Sequence, residues 1–365
     1  MRMRLRVWMM AVLAGCVPAW AAMPAGAAAG GGYARDSFRV AHIYYYGYEG
    51  MDLAKVKAAL PLKVGDEVTL GNGEWDGVEK RIRAAVLKVT GKPPSGGAGV
   101  CCSADGGVDV FVGLQGASYR AETWRAAPTG DAHLGREGMR LYDEWVKAFT
   151  KAVESGDSQE DDSKGYALSH DAAVRAIEME MRAWAANREP EMIDVLTHAK
   201  DARQRAAAAE LLGYADRSRN QIQALMDASE DESAEVRNNA VRALGVLAAA
   251  GRGVPIEVNL KPLVDLLYSG TWTDRNKASW LIANLTDGQR DTKMLAQLRK
   301  TAMAPLVEGA QWDAGHADFF LTILGRIGGI PEKKLEGMIA AGDRGGIVAA
   351  AEGTDRPGGG APGTP

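Results

Sequence analysis

The sequence predicts an α+β N-terminal module followed by an all-α helical-repeat solenoid, mainly α overall. Three observations carry this reading. An apolar quartet at spacing 0, +3, +4, +7 recurs in the second half: Ala208, Leu211, Leu212, Ala215; Ala240, Ala243, Leu244, Leu247; Ala278, Leu281, Ile282, Leu285; Phe320, Ile323, Leu324, Ile327. Roughly 17 residues before each lies an apolar triplet at 0, +3, +4: Met192, Val195, Leu196; Ile222, Leu225, Met226; Leu260, Leu263, Val264; Met303, Leu306, Val307. Residues three and four apart share a helix face, so each unit is a helix pair that buries its stripe only by stacking on neighbours. The third observation is that residues 37–117 lack this pattern and instead mix strand, helix and turn signals.

Taken in order, the chain begins with Arg2, Arg4 and Arg6 ahead of an apolar run from Val7 to Val17, the pattern of an export signal and too short for a bilayer span. Two processing readings stand. Ala19-Trp20-Ala21 is a small-x-small site, giving a signal peptide over 1–21 and a mature start at Ala22. Leu13-Ala14-Gly15-Cys16 resembles a bacterial lipobox, in which Cys16 is lipidated after a signal over 1–15. Either way the expected location is periplasmic or secreted, or anchored to the membrane through a lipid at Cys16. Residues 22–36, with Gly30-Gly31-Gly32, read as linker.

Within 37–117, Arg39 to Tyr46 is a β-branched and aromatic strand closed by Gly47 and Gly50. Asp52 caps a helix carrying Leu53, Val56 and Leu60, and Pro61 ends it. Glu74 to Val89 is a second helix with Trp75, Val78, Ile82, Ala85, Val86 and Val89 on one side. Gly99–Ser103 and Val108–Leu114 form a hairpin around Asp105-Gly106, with Val108, Val110, Val112 and Leu114 facing a core. Residues 118–187 supply two linking helices, Met139–Val153 and Ala172–Ala186, around an acidic loop over 154–165. That loop lacks the glycine and closing glutamate of a calcium loop and reads as a solvated linker. The repeats follow over 188–345, and the Pro- and Gly-rich residues 346–365 read as a disordered tail.

Asp231-Glu232-Ser233-Ala234-Glu235-Val236-Arg237-Asn238-Asn239-Ala240-Val241-Arg242-Ala243-Leu244-Gly245 resembles the second half of a HEAT repeat. Arg205, Arg237 and Arg275 occupy equivalent positions, Pro262 and Pro305 fall where that family often has proline, and Ala317 replaces the arginine in the fourth unit, as in a terminal cap. The N-terminal module resembles a POTRA domain through Ile43-Tyr44-Tyr45-Tyr46-Gly47-Tyr48-Glu49-Gly50, Leu60-Pro61-Leu62-Lys63-Val64-Gly65-Asp66 and Val110-Phe111-Val112-Gly113-Leu114-Gln115-Gly116. That resemblance implies partner binding by strand addition at a sheet edge.

Composition excludes several function classes. The formal charge is −4, and −7 without Arg2, Arg4 and Arg6, so no basic footprint for nucleic acid exists. Cys101 and Cys102 are adjacent and expected as thiols. Ser169-His170-Asp171 holds the three triad residue types, but consecutive residues cannot face one another, so Ser169 is expected as a helix cap. His42, His133, His170, His198 and His316 show no metal-ligand spacing. No enzyme activity, cofactor or metal is expected. The leading expectation is a non-catalytic envelope scaffold binding protein partners through the solenoid. The alternatives are an outer-membrane assembly or secretion accessory acting through the POTRA-like module, and an enzyme of unknown type.

Two residue sets follow. Arg205, Arg237 and Arg275 are a candidate ladder bridging the acids of the turns, those near Arg237 being Asp231, Glu232 and Glu235. Trp280 points away from its own repeat's quartet at ~100° per residue. With Lys277 and with Arg242, its equivalent in the preceding unit, it is a candidate partner-binding stripe expected to be partly accessible.

Overall fold

A computed structural model describes residues 37–353 apart from 71–73, 97, 103–105, 122, 158, 252, 254–255, 288–291 and 313–314. The expected export signal, Cys16 and the expected linker, all within residues 1–36, and residues 354–365 lie outside the described residues. Six elements form the N-terminal module: β1 (Ser37–Tyr46), α1 (Leu53–Ala59), β2 (Glu67–Thr69), α2 (Glu74–Thr90), β3 (Ala98–Cys102) and β4 (Val108–Gly113). The sheet order is β2-β1-β4-β3, with β1 parallel to β4 and the other pairs antiparallel. The short strand β2 is an addition to the expected element order. It follows a turn closed by Asp66, whose carboxylate accepts from Lys63 N at 2.8 Å.

A register shift between Val40 and His42 reverses the alternation of β1. Val40, Ile43 and Tyr45 consequently join Val56, Trp75, Ile82 and Val86 under α1 and α2, while Tyr44 and Tyr46 join the core of the repeats. Strand β4 is buried at all six positions. Its Val108, Val110 and Val112 face α1 and α2 as expected, whereas Phe111 faces the solenoid. A sheet covered on both faces is a middle layer, not a free-standing module.

The helices are α3 (Arg136–Glu154), α4 (Ala172–Ala185), α5 (Glu189–His198), α6 (Ala202–Leu212), α7 (Arg219–Ala228), α8 (Ala234–Ala249), α9 (Leu260–Leu267), α10 (Trp272–Leu285), α11 (Thr292–Thr301), α12 (Met303–Gly309), α13 (Asp318–Ile327), α14 (Glu332–Ala340) and α15 (Arg344–Gly353). The four units are α5/α6, α7/α8, α9/α10 and α12/α13. Their second helices stack in one row, α6 on α8, α8 on α10 and α10 on α13, and α15 packs on α13 to extend it. The fourth unit is therefore followed by another helix pair and is not the terminal cap. Residues 346–353, read as tail, are helical because Ile347 and Ala351 are buried in the common core.

Local capping follows side-chain chemistry. Asp52 caps α1 and Ser218 forms a capping box with Gln221 on α7. At α4 the cap is Asp171, which accepts from Ala173 N and Val174 N, while Ser169 sits two residues earlier and accepts from Asp171 N at 3.1 Å. Ser169 is thus buried outside the helix and not its cap.

Two irregular segments organise the rest. Residues 120–130 run backwards along the turns between first and second helices. Arg120 N donates to Tyr268 O at 3.2 Å, Arg125 N to Glu230 O at 2.8 Å, and Lys200 N to Gly130 O at 2.8 Å, one turn for every five residues. Residues 155–171 form a strap between α3 and α4, closed on itself by reciprocal Asp161–Leu168 bonds of 2.8 and 3.2 Å and by His170 N to Gln159 O at 2.8 Å.

Candidate functional site: the covered inner face of the repeats

The three equivalent arginines lie one turn into α6, α8 and α10, and each bridges to the next unit. Arg205 pairs with Asp231 at 2.8 and 2.9 Å, Arg237 with Asp274 at 2.7 Å, and Arg275 with Glu308 at 3.4 Å. Each guanidinium also donates into its own preceding turn, to the carbonyls six and five residues back for Arg205 (Ala199, Lys200) and Arg237 (Asp231, Glu232). Arg275 reaches Ser269 O, again six back, at 2.7 Å. All three side chains are buried, so the bridges are desolvated and geometrically fixed. Aromatic rings cover two of them: Arg237 stands 3.9 Å over Trp124 of the 120–130 segment, and Arg275 stands 4.9 Å over Tyr46 of β1.

Glu308 is the joint between sheet and solenoid. Its carboxylate accepts from Gly47 N at 2.7 Å, Tyr48 N at 2.8 Å and Glu49 N at 2.9 Å, and from Ser118 Oγ. Around it Phe111 stacks on Trp272 at 4.0 Å and 8°, Trp312 Nε1 donates to Tyr45 O at 3.1 Å, and Tyr46 OH donates to Gly270 O at 2.8 Å. His42 Nδ1 and His316 Nε2 approach opposite oxygens of the buried Asp109 at 2.8 and 3.4 Å. Among the described residues no group of three or more His, Cys, Asp or Glu is placed to hold a metal.

The inner face of α8 and α10 holds the stripe expected to be accessible, and there the expectation is corrected. Trp280, Arg242 and Lys277 are 9%, 3% and 4% exposed. Trp280 does point away from its own quartet, but it packs on Val246 and on Ala167 of the strap, over the space left by Gly245, where a Cβ would come within 2.5 Å of the indole. Arg242 is held between Glu210, at 2.6 Å, and Glu160 of the strap. Arg242 also stands 5.4 Å over Trp145 of α3, whose neighbour Tyr142 donates to Glu235 at 2.8 Å. The acidic loop is therefore packed, not a solvated linker.

Four carboxylic groups, Glu160, Asp162, Glu178 and Glu210, share this space with two cations, Arg242 and Lys277. Burial, reinforced by the charge of Glu160, pushes Asp162 up to about 7. Burial likewise raises Glu178 to about 7 and raises Glu210. Burial and the Arg242 charge pull Lys277 down to about 8. Glu178 is anchored by accepting from Ser169 N at 2.6 Å and Trp145 Nε1 at 3.3 Å. Asp162 Oδ1, Glu210 Oε2, Tyr214 OH and Arg242 Nε are buried without a hydrogen-bond partner among the described residues. A separate cleft of about 370 Å³ opens between Tyr48, Glu49 and the α11, α12 and α15 side chains Arg299, Met303, Val307 and Glu352.

Sequence reasoning placed the arginines and the wheel orientation of Trp280 but missed Glu308, Ser118, Trp124 and Glu160. None of these lies in a periodic pattern, and each acts on a segment remote in sequence. Asp157 to Asp162 did carry a signal, its acidity, which matches the buried Arg242 and Lys277.

Residues 189–285 match the family model for HEAT repeats. No curated protein matches the chain. Among solved structures, a designed armadillo repeat protein, YIII(Dq)4CqI, is similar over 50% of this chain and 94% of its own at 18% identity, with a TM-score of 0.33. The chain thus carries a small N-terminal sheet module and a helical-repeat solenoid, the architecture of protein-interaction scaffolds.

Proposed function

We propose that this protein is a non-catalytic, exported envelope scaffold that binds protein partners as a single rigid body made of the repeats and the POTRA-like module. The observation that supports it is the Glu308 joint: one carboxylate collects three backbone N–H groups from the module and the hydroxyl of Ser118 just after it while receiving Arg275 of the ladder. A module that worked alone on a flexible spacer would have no use for a shared aromatic and ionic core. Export rests on Arg2, Arg4, Arg6 and the apolar run behind them, and membrane attachment on Cys16.

Envelope extract passed over the immobilised mature protein tests the scaffold reading, with a specific protein retained as the expected result. No retention at physiological salt would count against it. The accessory reading is separated by Thr69→Pro in β2, an edge strand of the sheet, which blunts that edge for strand addition. Capture persists in this variant if the composite scaffold is right and is lost if the module alone carries the function through that edge. Mass spectrometry of the mature N-terminus separates Ala22 from lipidated Cys16.

A further inference from the structure

The geometry points to the inner face of α8 and α10 as a groove for an acidic segment of a partner protein, occupied in the resting molecule by the strap 155–171. This rests on the scaffold reading and names the surface and the chemistry it recognises.

The occupant in place defines what the groove accepts. It offers Glu160 to Arg242, it sets Asp162 near enough to Lys277 and Arg242 for their charges to act on it, and it inserts the small Ala167 between Val246 and Trp280. A ligand therefore needs a carboxylate and, seven residues on across a chain reversal, a small apolar side chain. The strap is also tethered in a way that permits exchange. Its backbone is paired with itself across Asp161 and Leu168, its ends belong to α3 and α4, and its contacts with α8 and α10 run through side chains. No strand or helix of the repeats has to open for it to leave.

The strap is a poor match for the groove it fills. Four carboxylic groups meet two cations, and four buried polar atoms, Asp162 Oδ1, Glu210 Oε2, Tyr214 OH and Arg242 Nε, find no partner among the described residues. Unpaired buried polar groups and uncompensated charge weaken a contact. The ladder shows the contrast, since all three guanidinium nitrogens of Arg205 and of Arg237 are hydrogen-bonded. A partner segment that supplies the missing hydrogen bonds without bringing a second buried carboxylate displaces the strap, and tethering sets the effective concentration it must beat.

The test uses the full chain and a released form carrying Glu160→Gln with Ala167→Glu, which removes the Arg242 pair and drives a charge into the Trp280 pocket. The probe is a fluorescent synthetic peptide of residues 159–171, with a scrambled peptide of equal composition as control. Removing the resident competitor should make the peptide bind the released form about tenfold or more tighter than wild type. The scrambled peptide should not bind, and Glu160→Gln alone should show a smaller shift in the same direction. Absence of binding to a folded released form overturns the proposal. So does equal binding of the scrambled peptide, or failure of the released form to fold, which would make the strap part of the core. A released form that dimerises by exchanging straps overturns it in favour of self-association. If the peptide binds as expected while wild-type and released proteins both retain nothing from envelope extract, the scaffold reading fails alone. Capture that is indifferent to release and to excess peptide leaves scaffolding intact and sinks the groove.

Discussion

Arg237 and Asp274 meet across the boundary between the second and third repeats through bonds of 2.7 to 3.2 Å, with both side chains at 2% exposure or less. The acid comes from the first turn of the following second helix, not from Asp231, Glu232 or Glu235 beside the arginine, two of which lend only their carbonyls. Arg237→Ala leaves Asp274 buried with Ser269 Oγ, at 2.6 Å, as its remaining side-chain partner among the described residues. The expected loss is about 3 to 5 kcal/mol, read from the denaturant midpoint, because removing one partner of a buried pair strands the other charge. A loss below about 1 kcal/mol would mean the pair behaves as a surface ion pair.

Trp280 and Gly245 test the packing of the inner face. Trp280→Ala should cost about 3 to 5 kcal/mol as a buried tryptophan truncation. Gly245→Ala should cost about 1 to 3 kcal/mol by overpacking the indole. Since the three atoms nearest the added methyl all belong to that ring, the double variant should be more stable than the sum of the single losses predicts. Strict additivity in equilibrium unfolding would show that the two residues do not touch.

The charge cluster sets a pH dependence. Asp162 and Glu178, raised to about 7, hold protons in the folded state that the unfolded chain releases near pH 4. The cost of ionising them in place is therefore absent below about pH 4 and complete above about pH 7. Stability should fall between pH 5 and pH 7.5 by on the order of 2 to 4 kcal/mol. Lys277, lowered to about 8, acts oppositely but only above that pH. Asp162→Asn should flatten the profile, as seen by chemical denaturation at the two pH values. A midpoint that rises across the window in wild type would refute the assignment.

Glu308→Ala removes the acceptor shared by Gly47, Tyr48 and Glu49. Hydrogen exchange at those three amides should accelerate by about tenfold or more, with a stability loss of roughly 3 kcal/mol. Deleting residues 37–117 should be worse, since it uncovers Trp272 and Trp312, and is expected to yield aggregate. A soluble, cooperatively folding deletion product would show that the module is separable.

What the sequence made legible was whatever is encoded by periodicity. The quartets and triplets of the repeats, the strands β1, β3 and β4 and the helices α1 to α4 leave a regular trace, because each must turn one face to a neighbour, whereas the three-residue β2 is too short to leave one. The wheel also placed Trp280 on the far side of its own core. It could not say what lies there, because Ala167 and Glu160 arrive from a loop more than a hundred residues away with no pattern of their own. Glu308 reads as an ordinary charged residue between Val307 and Gly309, and only the three-dimensional meeting with Gly47, Tyr48 and Glu49 gives it a role. The tail was misread for a related reason: Ile347 and Ala351 are too few to announce a helix, yet α13 needs them as its cover.

The segment from Arg120 to Gly130 acts as a measuring tape laid along the stack. Repeat arrays commonly gain or lose units, because each unit touches only its neighbours. Here one chain segment grips three successive turns at fixed five-residue intervals and is fastened at its ends to Ser118 and Leu134, whose own partners are Glu308 of the fourth unit and Gln204 of the first. Inserting or removing a unit would put every later notch out of step. The spacing of the first four units is thereby written into the connector, and that stretch of the array resists extension as an open spring would not.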